Sequence, residues 1–110
     1  MPRSRIARQF DVFVNPAPRG RRQFPYLVIL QADLAATGEE RVVAPLAPKT
    51  GMAPLADKLV PIVEIESREL AILVPLLTTA RRWSLRDPVA SVAHARDRII
   101  AALDYLFLGF

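Results

Sequence analysis

The chain has 110 residues, of which 52% are hydrophobic, which predicts a single domain with one packed core and excludes wholesale disorder. It has no cysteine and one histidine, which excludes disulfides and thiolate chemistry and leaves few ligands for a metal ion. The net charge is +4, and residues 1–32 carry six arginines and one aspartate, a pattern that attracts acidic partners or nucleic acid but is more often that of a solvated tail.

The chain shows no pattern of a membrane segment or a secretory signal. No apolar run approaches the roughly 20 residues that cross a bilayer, and the basic start MPRSRIARQF lacks the apolar stretch of a signal peptide. We therefore expect a cytoplasmic protein. We also expect one domain over residues 1–110, with residues 1–8 as a mobile N-terminal extension because they show no periodicity.

Several short segments rich in β-branched and aromatic residues predict strands. The first two flank a loop with prolines and arginines and are expected to form an antiparallel hairpin. In the third, Pro45 indicates an edge strand or a bulge, because proline cannot donate a ladder hydrogen bond. The fourth and fifth are close enough for a tight turn at Ser67–Arg68. The candidate strands are residues 9–15, 26–31, 41–47, 61–66 and 69–74, and residues 81–85 alternate weakly.

The last stretch of the chain predicts one long helix. Asp87 is a candidate N-cap, Pro88 suits the first helical position, and Gly109 is expected to end the helix. At about 100° per residue, Leu108 falls on the polar side together with Asp104. The face predicted to be buried contains Val92, Ile99, Ile100, Leu103, Leu106 and Phe107. Short strands followed by one helix predict a mainly β fold, a small β-barrel with a C-terminal α-helix.

The sequence contains little that suggests catalysis. It has no glycine-rich phosphate loop and no nucleophile elbow, and His94 is expected on the solvent side of the helix. Glu64 and Glu66 lie two apart in a predicted strand and would share one face, which ordinary exposed alternation also explains. Arg81–Arg82 beside Trp83 resembles a stacking and phosphate-contact element, but a core position is the more common one for such a tryptophan.

The end of the predicted helix is unusually apolar. Four large apolar side chains fall within five residues: Leu106, Phe107, Leu108 and Phe110. This composition is typical of a dimer interface or a recognition patch. Packing of all four back onto the barrel is the alternative.

A co-linear set of segments carries a family resemblance: QFDV at residues 9–12, LQADL at 30–34, RVVAPL at 41–46, LVPIVEI at 59–65 and IIAALDYLFLGF at 99–110. These segments resemble, in order, the strands and the terminal helix of the CcdB-type toxins of bacterial toxin–antitoxin modules. The resemblance implies an SH3-like barrel with a C-terminal helix that forms a homodimer. It also implies a protein that is not an enzyme, has no catalytic residues and binds no cofactor or metal.

The same resemblance implies the partners. CcdB-type toxins bind the A subunit of DNA gyrase and trap the enzyme on cleaved DNA, which blocks replication. A cognate antitoxin neutralises the toxin through a disordered C-terminal segment that orders on contact. The expected partners are therefore the A subunit of DNA gyrase, the antitoxin and a second copy of the chain. Neither membrane binding nor direct sequence-specific DNA binding by the protein alone is expected.

Carried over by position, the gyrase contacts lie in the turn after the second strand, on the helix and at the chain end. The family pattern has tryptophan where this chain has Leu108, asparagine at Asp104 and isoleucine at Phe110. Two alternatives stay open, a ribonuclease on the same barrel that would use Arg81 or Arg82 with a threonine, and a homologue that has lost toxicity. The predicted gyrase-binding residues are Leu34, Ala35, Asp104, Phe107, Leu108, Gly109 and Phe110.

Overall fold

The computed structural model describes residues 7–49 and 58–110, so most of the predicted extension, residues 1–6, lies outside the described part. Within the described residues, one seven-stranded antiparallel sheet curls into a nearly closed barrel, and a C-terminal α-helix follows. The predicted fold class is confirmed. The elements are β1 (Asp11–Val14), β2 (Tyr26–Ile29), β3 (Glu40–Pro48), β4 (Ile62–Ile65), β5 (Arg68–Ile72), β6 (Thr78–Arg81), β7 (Ala90–Ser91) and α1 (Arg96–Leu108).

The longest strand, β3, is the centre of the sheet because it pairs along both sides. On one side it pairs with β2, and on the other β6 pairs with its first half and β5 with its second half. The sheet order is β4-β5-β3-β2-β1-β7, with β6 paired to β3 alone, so β4, β7 and β6 each have one unpaired side among the described residues. The predicted hairpin of the first two strands is confirmed, with Val12 opposite Val28.

Pro45 lies in the middle of this central strand, so the prediction of an edge strand is wrong. Its carbonyl oxygen accepts a hydrogen bond of 2.9 Å from the Leu73 N–H. The N–H and C=O of one strand residue point to the same side, so the proline nitrogen also faces this side. There β5 has ended at Ile72 and β6 begins only at Thr78. The missing N–H of Pro45 therefore falls where the neighbouring strands leave a gap.

Side-chain alternation places hydrophobic clusters on both faces of the sheet. Val12 belongs to the larger cluster and is 0% exposed, whereas its neighbour Phe13 belongs to the smaller one and is 1% exposed. The larger cluster is covered by α1 through Ile99 and Ala102. Leu85, in the segment after β6, belongs to the smaller cluster. Because both faces are covered, the second strand is apolar at consecutive positions.

The hairpin β4–β5 turns at Glu66 and Ser67, one residue before the predicted position. The φ angles of these residues are 52° and 67°, and Ile65 lies opposite Arg68. Two consecutive positive φ values are the geometry of a type I′ turn, whose twist matches that of the flanking strands. The prediction missed the register because neither residue is the asparagine or glycine that usually marks such a turn.

The helix begins at Arg96 and not at Asp87, so the predicted N-terminus is wrong. Asp87 has a φ of 54°, and the residues that follow it form β7 against β1. The Val89 N–H donates to the Val12 carbonyl at 2.8 Å, and the Val92 N–H donates to that of Phe10 at 2.9 Å. This pairing outweighs the local capping signal, because tertiary context overrides weak helix propensity. No helix in the described residues is long and apolar enough to cross a membrane.

Candidate partner-binding surface

The end of α1 presents a largely apolar surface, called here the tail surface, made of Asp104, Phe107, Leu108, Gly109 and Phe110. Asp104, Phe107 and Leu108 are spaced i, i+3 and i+4 and therefore share one face of the helix. Phe107 is 68% exposed, Leu108 is 62% exposed and Phe110 is 81% exposed. Single exposed apolar residues are ordinary, but three large ones together are typical of an interaction site.

The packing of α1 explains why this end is uncovered. The residues that α1 and the turn before it bury completely are Ala95, Ile99 and Ala102, spaced i, i+4 and i+7. Two of these three are alanines, so the buried stripe is narrow and the larger apolar residues lie beside it. Leu103 is half-buried, and Phe107 lies outside the packed face. The prediction that Phe107 is buried is wrong. It assumed that the largest apolar residues mark the buried face, whereas two of the three completely buried residues are alanines.

Gly109 ends α1 as predicted. Its φ of 82° is in the left-handed region, and its N–H donates to the Tyr105 carbonyl at 2.9 Å. A Cβ at this position would meet no atom within 4 Å, so glycine is required here by backbone conformation and not by lack of space. This turn places Phe110 beside the segment that precedes β4.

A groove of about 670 Å³ separates α1 from that segment. Among the described residues, Lys58 and Arg98 supply its positive charges. The Lys58 Nζ lies 5.4 Å from the centre of the Tyr105 ring, and an Arg98 Nη donates to the Ile62 carbonyl at 2.7 Å. The groove is lined by Lys58, Val60, Pro61, Ile62, Arg98, Ala101, Tyr105, Gly109 and Phe110. The sequence analysis did not predict this groove. The only feature of the local sequence that points to it is the i, i+7 spacing of Arg98 and Tyr105, which places both residues on one side of the helix.

The other two predicted gyrase-binding residues lie on a 3-10 turn, Asp33–Ala35, between β2 and β3. Leu34 is 97% exposed, and Ala35 is also exposed. The Gln9 N–H donates to Asp33 Oδ1 at 2.8 Å, and Gln31 Nε2 donates to the Ala35 carbonyl at 2.6 Å. These bonds hold the turn against the barrel, so Leu34 is exposed on an anchored element. The predicted site therefore consists of two exposed elements, each with its own anchors.

The structure also gives the positions of the residues that were considered for catalysis. His94 is exposed, as predicted. Glu64 lies on β4, whereas Glu66 lies in the turn that follows. The prediction that the two side chains share one strand face is therefore wrong. Within residues 7–49 and 58–110, no three His, Asp or Glu side chains form a group that could hold a metal ion.

Trp83 is 60% exposed, so the interpretation of it as a core residue is wrong. The chain forms a 3-10 turn at Arg82–Ser84, and Leu85 enters the smaller cluster instead. Arg82, beside Trp83, pairs with Glu39 through an Nε–Oε1 distance of 3.2 Å on the surface. The exposed tryptophan therefore lies next to an arginine that already has a carboxylate partner.

Comparison with known proteins finds a family match over most of the chain. A family model described as CcdB protein matches residues 9–109. The matched span includes every described strand, α1 and all of the tail surface except Phe110. None of the curated proteins matches the chain.

Proposed function

Since the chain belongs to the CcdB family of toxin–antitoxin toxins, which act on DNA gyrase and are not enzymes, we propose that it binds the A subunit of gyrase and traps the enzyme on cleaved DNA. Replication would stop at the trapped complexes. A cognate antitoxin would neutralise the protein by ordering its C-terminal segment on the toxin surface. The net charge of +4 favours an acidic segment in that role.

The observation that carries this proposal is the tail surface. Phe107, Leu108 and Phe110 expose large apolar side chains at the end of α1. Exposing them does nothing for the stability of the isolated barrel, whereas burial against a partner removes their apolar area from water at about 25 cal/mol per Å². Binding energy at protein interfaces is concentrated in a few residues of this kind. Gyrase is the partner that family membership supplies.

Each residue of the proposed site has a distinct physical role. Leu108 provides apolar area but cannot stack on a cation as the tryptophan of the family pattern can, and Phe110 supplies an aromatic face two residues later. Asp104 accepts hydrogen bonds from the partner with a full charge. Leu34 and Ala35 form a second contact element on their anchored turn. Gly109 sets the direction in which Phe110 leaves the helix.

We further propose a homodimer, with an apolar strip on α1 as the contact. Ile100 and Leu103 are half-buried and lie beside the alanine stripe, on the part of the helix that precedes the tail surface. The barrel leaves this strip partly uncovered because the alanine stripe makes the main contact. A second copy of the chain that packs against it would bury the strip in an isologous interface.

Removal of Gly109 and Phe110 tests the proposal directly. We expect the truncated protein to lose growth inhibition and to yield at least about tenfold fewer gyrase–DNA cleavage complexes, because an aromatic contact and the helix cap are both removed. The measurement is cleaved plasmid DNA after incubation of purified protein with gyrase and ATP. Trp83→Ala is the matched control, since it removes a comparably exposed aromatic ring elsewhere and should keep full activity. Full toxicity of the truncated protein would refute the tail-centred mechanism.

The two alternative functions give different results in the same preparation. A ribonuclease would use Arg81 or Arg82 with a hydroxyl of Thr78 or Thr79, all of them exposed. The wild-type protein would then cleave RNA in the absence of gyrase. We expect no cleavage. A homologue without toxicity would leave a sensitive host growing during strong expression of folded protein, whereas we expect growth to stop.

A further inference from the structure

The groove between α1 and the segment before β4 has the size and lining of a small-molecule site. We propose that it binds a small amphiphilic anion, with the apolar body of the ligand between the two walls and its acidic head on Lys58 and Arg98. Binding pockets for small ligands typically enclose about 300–1,000 Å³ and combine mostly apolar walls with a few polar groups. The groove, at about 670 Å³, falls inside that range.

The two walls of the groove are apolar and come from different parts of the fold. On the barrel side, Val60 is buried at 6% exposure and Ile62 is half-buried. On the helix side, Ala101 leaves space next to the ring of Tyr105, and Phe110 lies at the end. An aromatic or short aliphatic body between these walls would gain contacts with two rings and a strand end. Since α1 and the barrel are packed together through Ile99 and Ala102, the walls exist before the ligand binds.

The charge of the groove selects an anion. Lys58 and Arg98 line it, and no acidic side chain does so among the described residues. Neither cation forms an ion pair with a described residue. The hydrogen bond from Arg98 to the Ile62 carbonyl fixes the guanidinium at the rim while its remaining N–H groups stay available as donors. A guanidinium held in this way suits a carboxylate or sulfonate, which accepts two parallel hydrogen bonds.

The site also has a consequence for the action on gyrase, and that consequence rests on the proposed function. Phe110 is part of both the groove and the tail surface. A ligand that holds the Phe110 ring against the groove would remove it from the surface offered to gyrase. Binding of the ligand would then lower the affinity for gyrase, and binding of gyrase would lower the affinity for the ligand by the same factor, as linkage requires.

The probe for the test is 1-anilinonaphthalene-8-sulfonate, whose fluorescence rises in apolar surroundings and which needs no gyrase. We expect saturable binding at one site in the full chain, displaced by decanoate and not by decylammonium. The variant Lys58→Gln/Arg98→Gln should raise the dissociation constant of the probe about tenfold, because charge-assisted contacts are lost. The control Lys49→Gln/Arg86→Gln removes the same charge outside the groove and should leave the constant unchanged. Thermal unfolding of each variant verifies that it is folded.

Several results would overturn the proposal. One is equal probe affinity in the wild type and in Lys58→Gln. This single variant is informative because the Lys58 side chain makes no hydrogen bond to a described residue. A second is displacement by decylammonium as effective as displacement by decanoate. A third is loss of probe binding in Phe107→Ala, which would place the probe on the tail surface instead of in the groove. Because the readout is fluorescence, a negative result here leaves the gyrase proposal intact, and a negative gyrase result leaves this site intact.

Discussion

Leu108 is one of the residues of the tail surface that we propose to contact gyrase. Its side chain is 62% exposed on the last turn of α1, so a larger ring can be placed there without disturbing the core. Tryptophan, which the resemblance described above implies at this position, adds contact area and a face that attracts cations. Leucine keeps only part of the apolar area and none of the cation attraction.

We therefore expect Leu108→Trp to bind the A subunit of gyrase about tenfold more tightly than the wild type, as is typical when an interface anchor is restored. Calorimetric titration with that purified gyrase protein measures the change. The control variant Trp83→Leu exchanges the same two residue types in reverse at an exposed site away from α1 and should have no effect. Weaker binding of Leu108→Trp would mean that the gyrase surface fits leucine at this position, and it would contradict the prediction that a tryptophan acts there as an anchor.

Gly109 allows a second prediction at the same scale. Its φ of 82° suits glycine, and an L-residue in this region costs about 1 kcal/mol. We expect Gly109→Ala to lower the unfolding midpoint by about 4 °C in a thermal scan, since a domain of this size loses a few degrees per kcal/mol. Gly38→Ala is the matched control, because its Cβ also meets no atom within 4 Å and its φ is not in that region. Equal shifts for the two variants would contradict the argument from backbone conformation.

Among the elements, those whose partners are close in sequence were predictable. The β1–β2 hairpin follows from two apolar runs around a proline-rich loop, and β4–β5 was displaced by only one residue at its turn. The start of α1 was not predictable from local signals. Asp87 and Pro88 form a valid N-terminal signature. However, the N–H groups of Val89 and Val92 donate hydrogen bonds to β1 and to the residue before it, which lie far away in sequence.

In the candidate site, too, some features follow from local sequence and others depend on distant parts of the chain. The exposed Leu108 and the cap at Gly109 follow from helical periodicity and from the properties of glycine, which depend on neighbouring residues alone. The exposure of Phe107 and of Trp83 does not, because it is decided by which neighbours reach the core first, here Ala102 and Leu85. The groove depends on the relative placement of α1 and the segment before β4, which no short window of sequence contains.

The β4–β5 hairpin contains a pair of facing glutamates that provides a test of its register. Glu64 lies directly opposite Glu69, and both are exposed, so two like charges face each other across the strands. We expect Glu64→Lys to stabilise the protein by about 0.5 kcal/mol, because an opposite-charge pair replaces a repulsive one. The urea unfolding midpoint measures this. Glu66→Lys makes the same change in net charge within the turn and should increase the stability by less. A larger gain for Glu66→Lys would imply a different register.

At the scale of the whole molecule, the proposed dimer predicts a change of mass. Ile100 is half-buried at the side of α1 and is not part of the core clusters. We expect Ile100→Glu to shift the protein from dimer to monomer in sedimentation velocity, because a buried unpaired carboxylate in the interface is strongly unfavourable. Trp83→Glu introduces the same charge on another face and should leave the dimer intact. A wild-type protein that sediments as a monomer at high concentration would remove the dimer from the proposal.

The hydrogen bond from Arg98 to the Ile62 carbonyl has one further consequence. Pro61 accepts its bond from Ile72 in β5, so the carbonyl of the next residue, Ile62, points away from the sheet at the unpaired edge of β4. Open strand edges are the places where separate molecules join into aggregates, and proteins avoid this by covering or charging them. Arg98 occupies an acceptor on that edge, and Glu64 adds a charge farther along it. Since Arg98 is carried by α1, melting of the helix would uncover the edge, and the partly unfolded chain would become prone to aggregation.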